Sequence, residues 1–125
     1  VKRALIIVDV QNDFLRGTLQ TANPLLQKNF LLIHSGSLEV PNGNEVIPVF
    51  NDLRQNHKFD YIFLTQDYHP ADHVSFASNH QNVKLFEEIQ LPTVISQVMW
   101  PNHCVQGTPG AEFHSDLVFN PQTYA

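Results

Sequence analysis

The chain has one cysteine, one tryptophan, five glycines and only seven lysines and arginines in its 125 residues. A single cysteine excludes an internal disulfide framework and fits a reducing cytosol. The shortage of cations leaves a net charge of −5 with histidine neutral, and Lys2-Arg3 is the only basic cluster. That balance argues against nucleic acid and anionic membrane as partners. Long hydrophobic runs are missing as well. The opening run, Ala4 to Val8, is too short for a signal-peptide core or a membrane span. Repeats, low-complexity tracts and interdomain linkers are absent, so residues 1–125 read as one domain. Apolar residues nevertheless make up 42% of the chain against 15% charged, which is enough to build a globular core. The first residue is Val rather than Met, so the numbering is expected to begin inside the native start.

Ala4-Leu5-Ile6-Ile7-Val8 is a continuous apolar run, the pattern of a parallel strand covered on both faces. It ends at Asp9-Val10-Gln11-Asn12-Asp13-Phe14, where polarity rises, and loops after buried strands of α/β sheets are where ligands bind. An isolated Asp in such a loop is more often a turn residue or a helix cap; Asp9 acquires another reading from the stretches below. Residues 15–40 read as an irregular excursion in which Phe30-Leu31-Leu32-Ile33 supplies a helical turn or a strand. Pro41-Asn42-Gly43 is a turn. Asn44 is placed to cap a helix whose apolar positions are Val46, Ile47, Phe50 and Leu53. Pro48 falls in its first turn, where a missing N–H costs least, and the helix should fade near Asn56. Tyr61-Ile62-Phe63-Leu64 then reads as a strand. Strand–helix–strand implies a parallel crossover, which brings Asp9 and the residues after Leu64 to one carboxyl edge. Further on, Lys84 to Gln90 suits a short helix, and Asp116-Leu117-Val118-Phe119 suits the start of a strand.

Asp67 and His69 stand two apart just after the second strand, so in extended chain both side chains project to one side. A carboxylate and an imidazole converging in this way make half of a divalent metal site. Trp100-Pro101-Asn102-His103-Cys104 offers a further imidazole in a Pro-bent segment. Two histidines and one carboxylate leave coordination positions open for water and substrate.

Four stretches, in order, resemble the nicotinamidase/pyrazinamidase branch of the isochorismatase-like cysteine hydrolases: ALIIVDVQNDF (4–14), GSLEVPNG (36–43), TQDYHPADHVSF (65–76) and WPNHCVQGTPGAEFH (100–114). The resemblance implies an α/β three-layer fold, a mostly parallel sheet with helices on both faces, of which this chain is the N-terminal portion. It implies hydrolysis of nicotinamide, or of a related pyridine carboxamide, to the acid and ammonia, an activity of NAD salvage and pyridine nucleotide biosynthesis in the cytoplasm. By the same resemblance Asp9 is the catalytic aspartate. Asp67, His69 and His103 are the ligands of one divalent metal, zinc first and manganese or iron as alternatives. Phe14 and Trp100 resemble the aromatic pair that sandwiches the pyridine ring. His73 is a further ligand in some relatives and not in others. In the implied mechanism a cysteine thiolate attacks the amide carbon, and Asp9 takes the thiol proton and returns it to the leaving amine.

The sequence departs from that pattern in one respect. The lysine and the nucleophilic cysteine of the family are expected beyond Ala125, and Cys104 resembles the non-catalytic cysteine beside the histidine ligand. The chain therefore reads as incomplete, carrying one member of the catalytic triad and most of the metal site. A related amidase of the same family is the alternative in substrate; a non-catalytic metal- or nicotinamide-binding fragment is the alternative in class. The expected partner is a small molecule, with homo-oligomerisation left open.

Overall fold

The computed structural model describes residues 1–17, 35–92 and 94–119, so the expectation for Phe30–Ile33 lies outside the described residues. Strand β1 (Ala4–Val8) and strand β2 (Tyr61–Thr65) pair in parallel, with Ala4 opposite Tyr61 and Val8 opposite Thr65. Helix α1 (Val46–Asn56) connects them. Alternation along each strand sends Leu5 and Ile7 of β1, and Ile62 and Leu64 of β2, to one face. There they meet Ile47 and Phe50 of α1, with Leu15 and Leu117 closing the cluster. Ile7 is wholly buried, and Ile47, Leu15 and Leu117 nearly so. Burial on this scale contributes about 1.5–3 kcal/mol per aliphatic side chain.

The opposite face differs from the expectation of a strand covered on both sides. Ile6 and Val8 are 57% and 60% exposed, and Tyr61 and Phe63 are 48% and 49% exposed. One helical layer covers one face, and among the described residues nothing supplies a second.

Helix α1 runs to Asn56 and closes at His57, whose extended backbone donates its N–H to the Leu53 carbonyl. Pro48 lies in the first turn, where its absent N–H has no intrahelical partner to lose. The expected cap is not formed. Asn44 lies in a 3₁₀ turn (Gly43–Glu45) ahead of the helix, and no side chain caps α1. Its amide instead clasps the backbone of Arg16, accepting the Arg16 N–H at 2.8 Å and donating to the Arg16 carbonyl at 2.7 Å. Asn44 thereby ties the chain after the first loop to the start of the helix.

Two further expectations are corrected. Residues Lys84–Gln90 form no helix: Phe86 adopts a left-handed φ of 65°, which a helix cannot contain. The segment leads into a hairpin of β3 (Glu88–Leu91) and β4 (Val94–Val98), antiparallel with Glu88 opposite Val98. Residues 116–119 form a turn rather than a strand. Leu117 N–H bonds the His114 carbonyl, and Asn51 of α1 accepts the Val118 N–H at 2.9 Å. Leu117 plugs the core as a single side chain instead of joining the ladder.

Candidate functional site

The carboxyl ends of β1 and β2 lie side by side, and the chain turns sharply as it leaves β1. Asp9 has φ 52°, a left-handed backbone that Asp tolerates better than most residues but that still costs energy. Its N–H continues the ladder to the Thr65 carbonyl at 3.2 Å, and its carboxylate accepts the Thr65 hydroxyl at 2.6 Å. The turn thus holds a half-buried carboxylate at the sheet edge. A groove of about 320 Å³ runs past Asp9 and Phe14, walled by Val8, Val10, Leu15, Val40 and Val46.

Just past β2, Asp67 and His69 converge with His103, and donor atoms of the three lie within 4.8 Å of one another. Donors that bind one ion at about 2.0–2.2 Å sit roughly 3–4 Å apart, so a small contraction accommodates a metal. The protonation pattern also suits one. His103 Nδ1 lies 2.8 Å from the Pro101 carbonyl, which only accepts, so that nitrogen carries the proton. In the neutral ring Nε2 is then a free lone pair, and it faces Asp67 Oδ2 at 3.8 Å. A backbone carbonyl fixing a histidine tautomer is the usual support of a metal-binding imidazole. Burial, followed by the neighbouring His73 and His103, lowers the pKa of His69 from 6.5, with Asp67 opposing. Neutral imidazole is the ligating form.

The floor of the cluster is Phe76, which is wholly buried. Its ring lies 5.5 Å from that of His69, nearly parallel, and 5.4 Å from that of His103. Phe14 approaches His103 from another side at 5.7 Å. Trp100 is half-buried and packs edge-on against Phe86 at 5.9 Å; its backbone N–H bonds the Ser75 carbonyl. His73 stands beside His69, with ring centroids 4.6 Å apart. It lies outside the converging trio, and its Nδ1 is engaged by the Ser75 hydroxyl at 2.8 Å.

Cys104 follows His103 with a left-handed backbone, φ 46°. The thiol is fully buried, with the Gly110 carbonyl 3.9 Å from Sγ. Burial pushes its pKa up to about 12, and the carboxylates of Asp13, Asp67 and Asp9 add to the shift. A thiol in that setting is protonated at neutral pH and is a poor nucleophile.

Two residues of the loop after β1 were passed over in the sequence. Gln11 is completely buried and bonds the backbone of Asp67. Asp13 bonds the backbone of Cys104. The signal available was the run of amide and carboxyl side chains Gln11, Asn12 and Asp13 directly after a buried strand.

No protein-family model matches the chain. A nicotinamidase of Acinetobacter baylyi is 45% identical over 114 residues, which is 91% of this chain and 44% of that protein. The chain is homologous to the nicotinamidases. Its structure superposes on a nicotinamidase/pyrazinamidase of Acinetobacter baumanii with TM-score 0.72 at 42% identity, covering 98% of this chain and 48% of that one. The yeast nicotinamidase bound to the inhibitor nicotinaldehyde matches with TM-score 0.67 at 33% identity, covering 90% and 49%. A pyrazinamidase of Pyrococcus horikoshii in complex with zinc matches with TM-score 0.53 at 29% identity, covering 99% and 49%. The isochorismatase-like α/β fold, a parallel sheet with helices, follows from these likenesses, and the chain spans about half the length of the relatives it matches. Among the described residues no helix is long and apolar enough to cross a membrane.

Proposed function

We propose that this chain supplies the metal centre and the general base of a nicotinamide amidohydrolase. The observation that carries the reading is the convergence of Asp67, His69 and His103 donors at the sheet edge that also presents Asp9. Zinc is the ion proposed: two imidazoles and one carboxylate suit it, leaving a position for water or substrate. When bound, the ion supplies a positive charge that orients a pyridine carboxamide and polarises what approaches it. Phe14, beside both the groove and His103, offers an aromatic wall for the ring, and Trp100 is the proposed second wall. Asp9, held by the Thr65 hydroxyl, takes a proton from the attacking thiol and returns it to the departing amine. The cellular role proposed is NAD salvage in a reducing cytoplasm.

Cys104 does not supply that thiol. It is buried, its pKa is raised to about 12, and the N–H of its own backbone is committed to Asp13. The nucleophile therefore comes from polypeptide other than these 125 residues. The same observation favours a second reading, in which this chain alone binds metal and ring without hydrolysing amide. Elemental analysis of the purified chain tests the common core of both: one equivalent of divalent metal is expected, and well under one equivalent in His69→Ala, since a ligand is lost outright. Undiminished stoichiometric metal in His69→Ala would remove the assignment. Nicotinate release by the chain alone would decide against the second reading.

A further inference from the structure

The loop after β1 does more than present Asp9. Gln11 is 0% exposed, and its side-chain amide is fully committed. Its Oε1 accepts the Asp67 N–H at 2.8 Å, and its Nε2 donates to the Asp67 carbonyl at 2.8 Å and to the Ala111 carbonyl at 2.7 Å. Both backbone groups of one proposed ligand are thus gripped by a single side chain 56 positions earlier in sequence. Two residues on, Asp13 does the same for the other ligand-bearing loop. Its Oδ2 accepts the N–H of Cys104, directly after His103, at 2.7 Å, and its Oδ1 accepts the Ser37 N–H at 3.3 Å. Space is made for Asp13 on two sides: a Cβ on Gly110 would collide with its carboxylate, and one on Gly36 with its backbone carbonyl oxygen. Cys104 holds a left-handed φ of 46°, which costs energy in a residue with a side chain. The bond from its N–H to the Asp13 carboxylate is of the charge-assisted kind, which is stronger than a neutral one.

We propose that Gln11 and Asp13 are positioning residues that hold the Asp67 loop and the His103 loop at metal-binding separation before any metal arrives. Among the described residues the two ligand loops also meet directly, but only through the isolated parallel bridges His69–Val105 and Phe76–Trp100, not through a continuous ladder. The β1 loop, anchored to the buried strand, is the common frame against which both are set. Neither side chain touches the metal; they fix the peptides from which Asp67 and His103 project. Preorganisation of this kind raises affinity by removing the cost of ordering the loops on binding.

This inference rests on the metal-centre reading above, and the experiment separates the two. The 125-residue chain is titrated with Co²⁺, whose ligand-field absorption reports ligand geometry, alongside Gln11→Glu and Asp13→Asn. Gln11→Glu keeps the acceptor for the Asp67 N–H and loses both donor bonds at nearly constant volume. Asp13→Asn keeps the shape and removes the charge. Each is expected to weaken Co²⁺ binding about tenfold, the lower end of what outer partners of ligands contribute, and to alter the absorption bands with the circular dichroism unchanged. Unaltered affinity and spectrum in folded variants would overturn the positioning role while leaving the metal centre intact. Failure of the wild-type chain to bind Co²⁺ would remove both. Should a variant not fold, amide exchange in the metal-free wild-type chain decides: the Asp67 and Cys104 amides are expected to be at least tenfold slower to exchange than the exposed amide of Asp72. Equal rates would mean that the loops are not held in advance.

Discussion

The edge of the β1–β2 pair and the face of the same pair have been treated in opposite ways. At the edge, the buried polar side chains have partners: Gln11 makes three hydrogen bonds, and Ser75 and His103 each make one or more. On the face away from α1, Ile6, Val8, Tyr61 and Phe63 stand half exposed or more. A parallel sheet with one bare apolar face is uncommon, because such sheets ordinarily have helices on both sides. Hydrogen bonding thus ties the Asp67 and His103 segments together within this chain, whereas among the described residues one face of the β1–β2 pair carries no covering element.

The sharpest way to break that comparison is through chemistry. In an active enzyme assembled from this chain and the polypeptide matching the rest of the relatives' length, Asp9→Asn should lower nicotinamide hydrolysis by about 10²–10⁴-fold, the usual contribution of a general base. Cys104→Ala should leave most of the activity, since its thiol is buried and protonated. Loss of activity in Cys104→Ala with metal content and fold retained would reverse the division of labour drawn along this chain.

A smaller effect concerns the bare face. The chain alone is expected to associate at micromolar concentration or to melt broadly, as exposed apolar surface of this kind promotes. The pair Ile6→Thr and Phe63→Thr should shift sedimentation toward the monomer, while Co²⁺ affinity changes less than about twofold because distant sites act independently. A wild-type chain that sediments as a monomer and melts in one cooperative calorimetric transition would show the face to be harmless.

The smallest effect is a pH dependence at the edge. His69 has its folded pKa lowered below 6.5 by burial and by its imidazole neighbours, so the unfolded chain binds more protons in that window. Metal-free stability should therefore be insensitive to this group above pH 6.5 and fall as the pH drops below it. His69→Gln should flatten that part of the profile. Urea midpoints measured between pH 7.5 and 5.5 that fall equally in both proteins would assign the dependence to another group.

Much of this arrangement was legible in the residues themselves. The apolar run 4–8, the turn 41–43 and the helical spacing from Val46 to Leu53 come from side-chain periodicity and turn chemistry, which are local. They appear in the structure with the expected bounds. The Asp67–His69 spacing also needed only the two-residue period of extended chain. Where local preference competed with distant partners, the reading failed. Asn44 has the chemistry of a cap, yet Arg16 is the partner it takes. Lys84–Gln90 has helix-forming composition, yet pairing of Phe86 and Glu87 with Met99 draws it toward the hairpin. Leu117 has strand-like neighbours but fills a hole in the core.

The sequence alone determined strands β1 and β2, helix α1, the carboxylate and imidazoles that could hold a metal and the single thiol, because each follows from the identity and spacing of neighbours. Only the tertiary structure decided that the donors of His103 and Asp67 meet at 3.8 Å, that Cys104 is sealed away, and that Gln11 and Asp13 bond the backbones of Asp67 and Cys104. Those outcomes depend on contacts between residues 56 and 91 positions apart. At such separations no periodicity carries information, and the direction of a single buried amide or carboxylate is set by the backbone groups that folding brings within its reach.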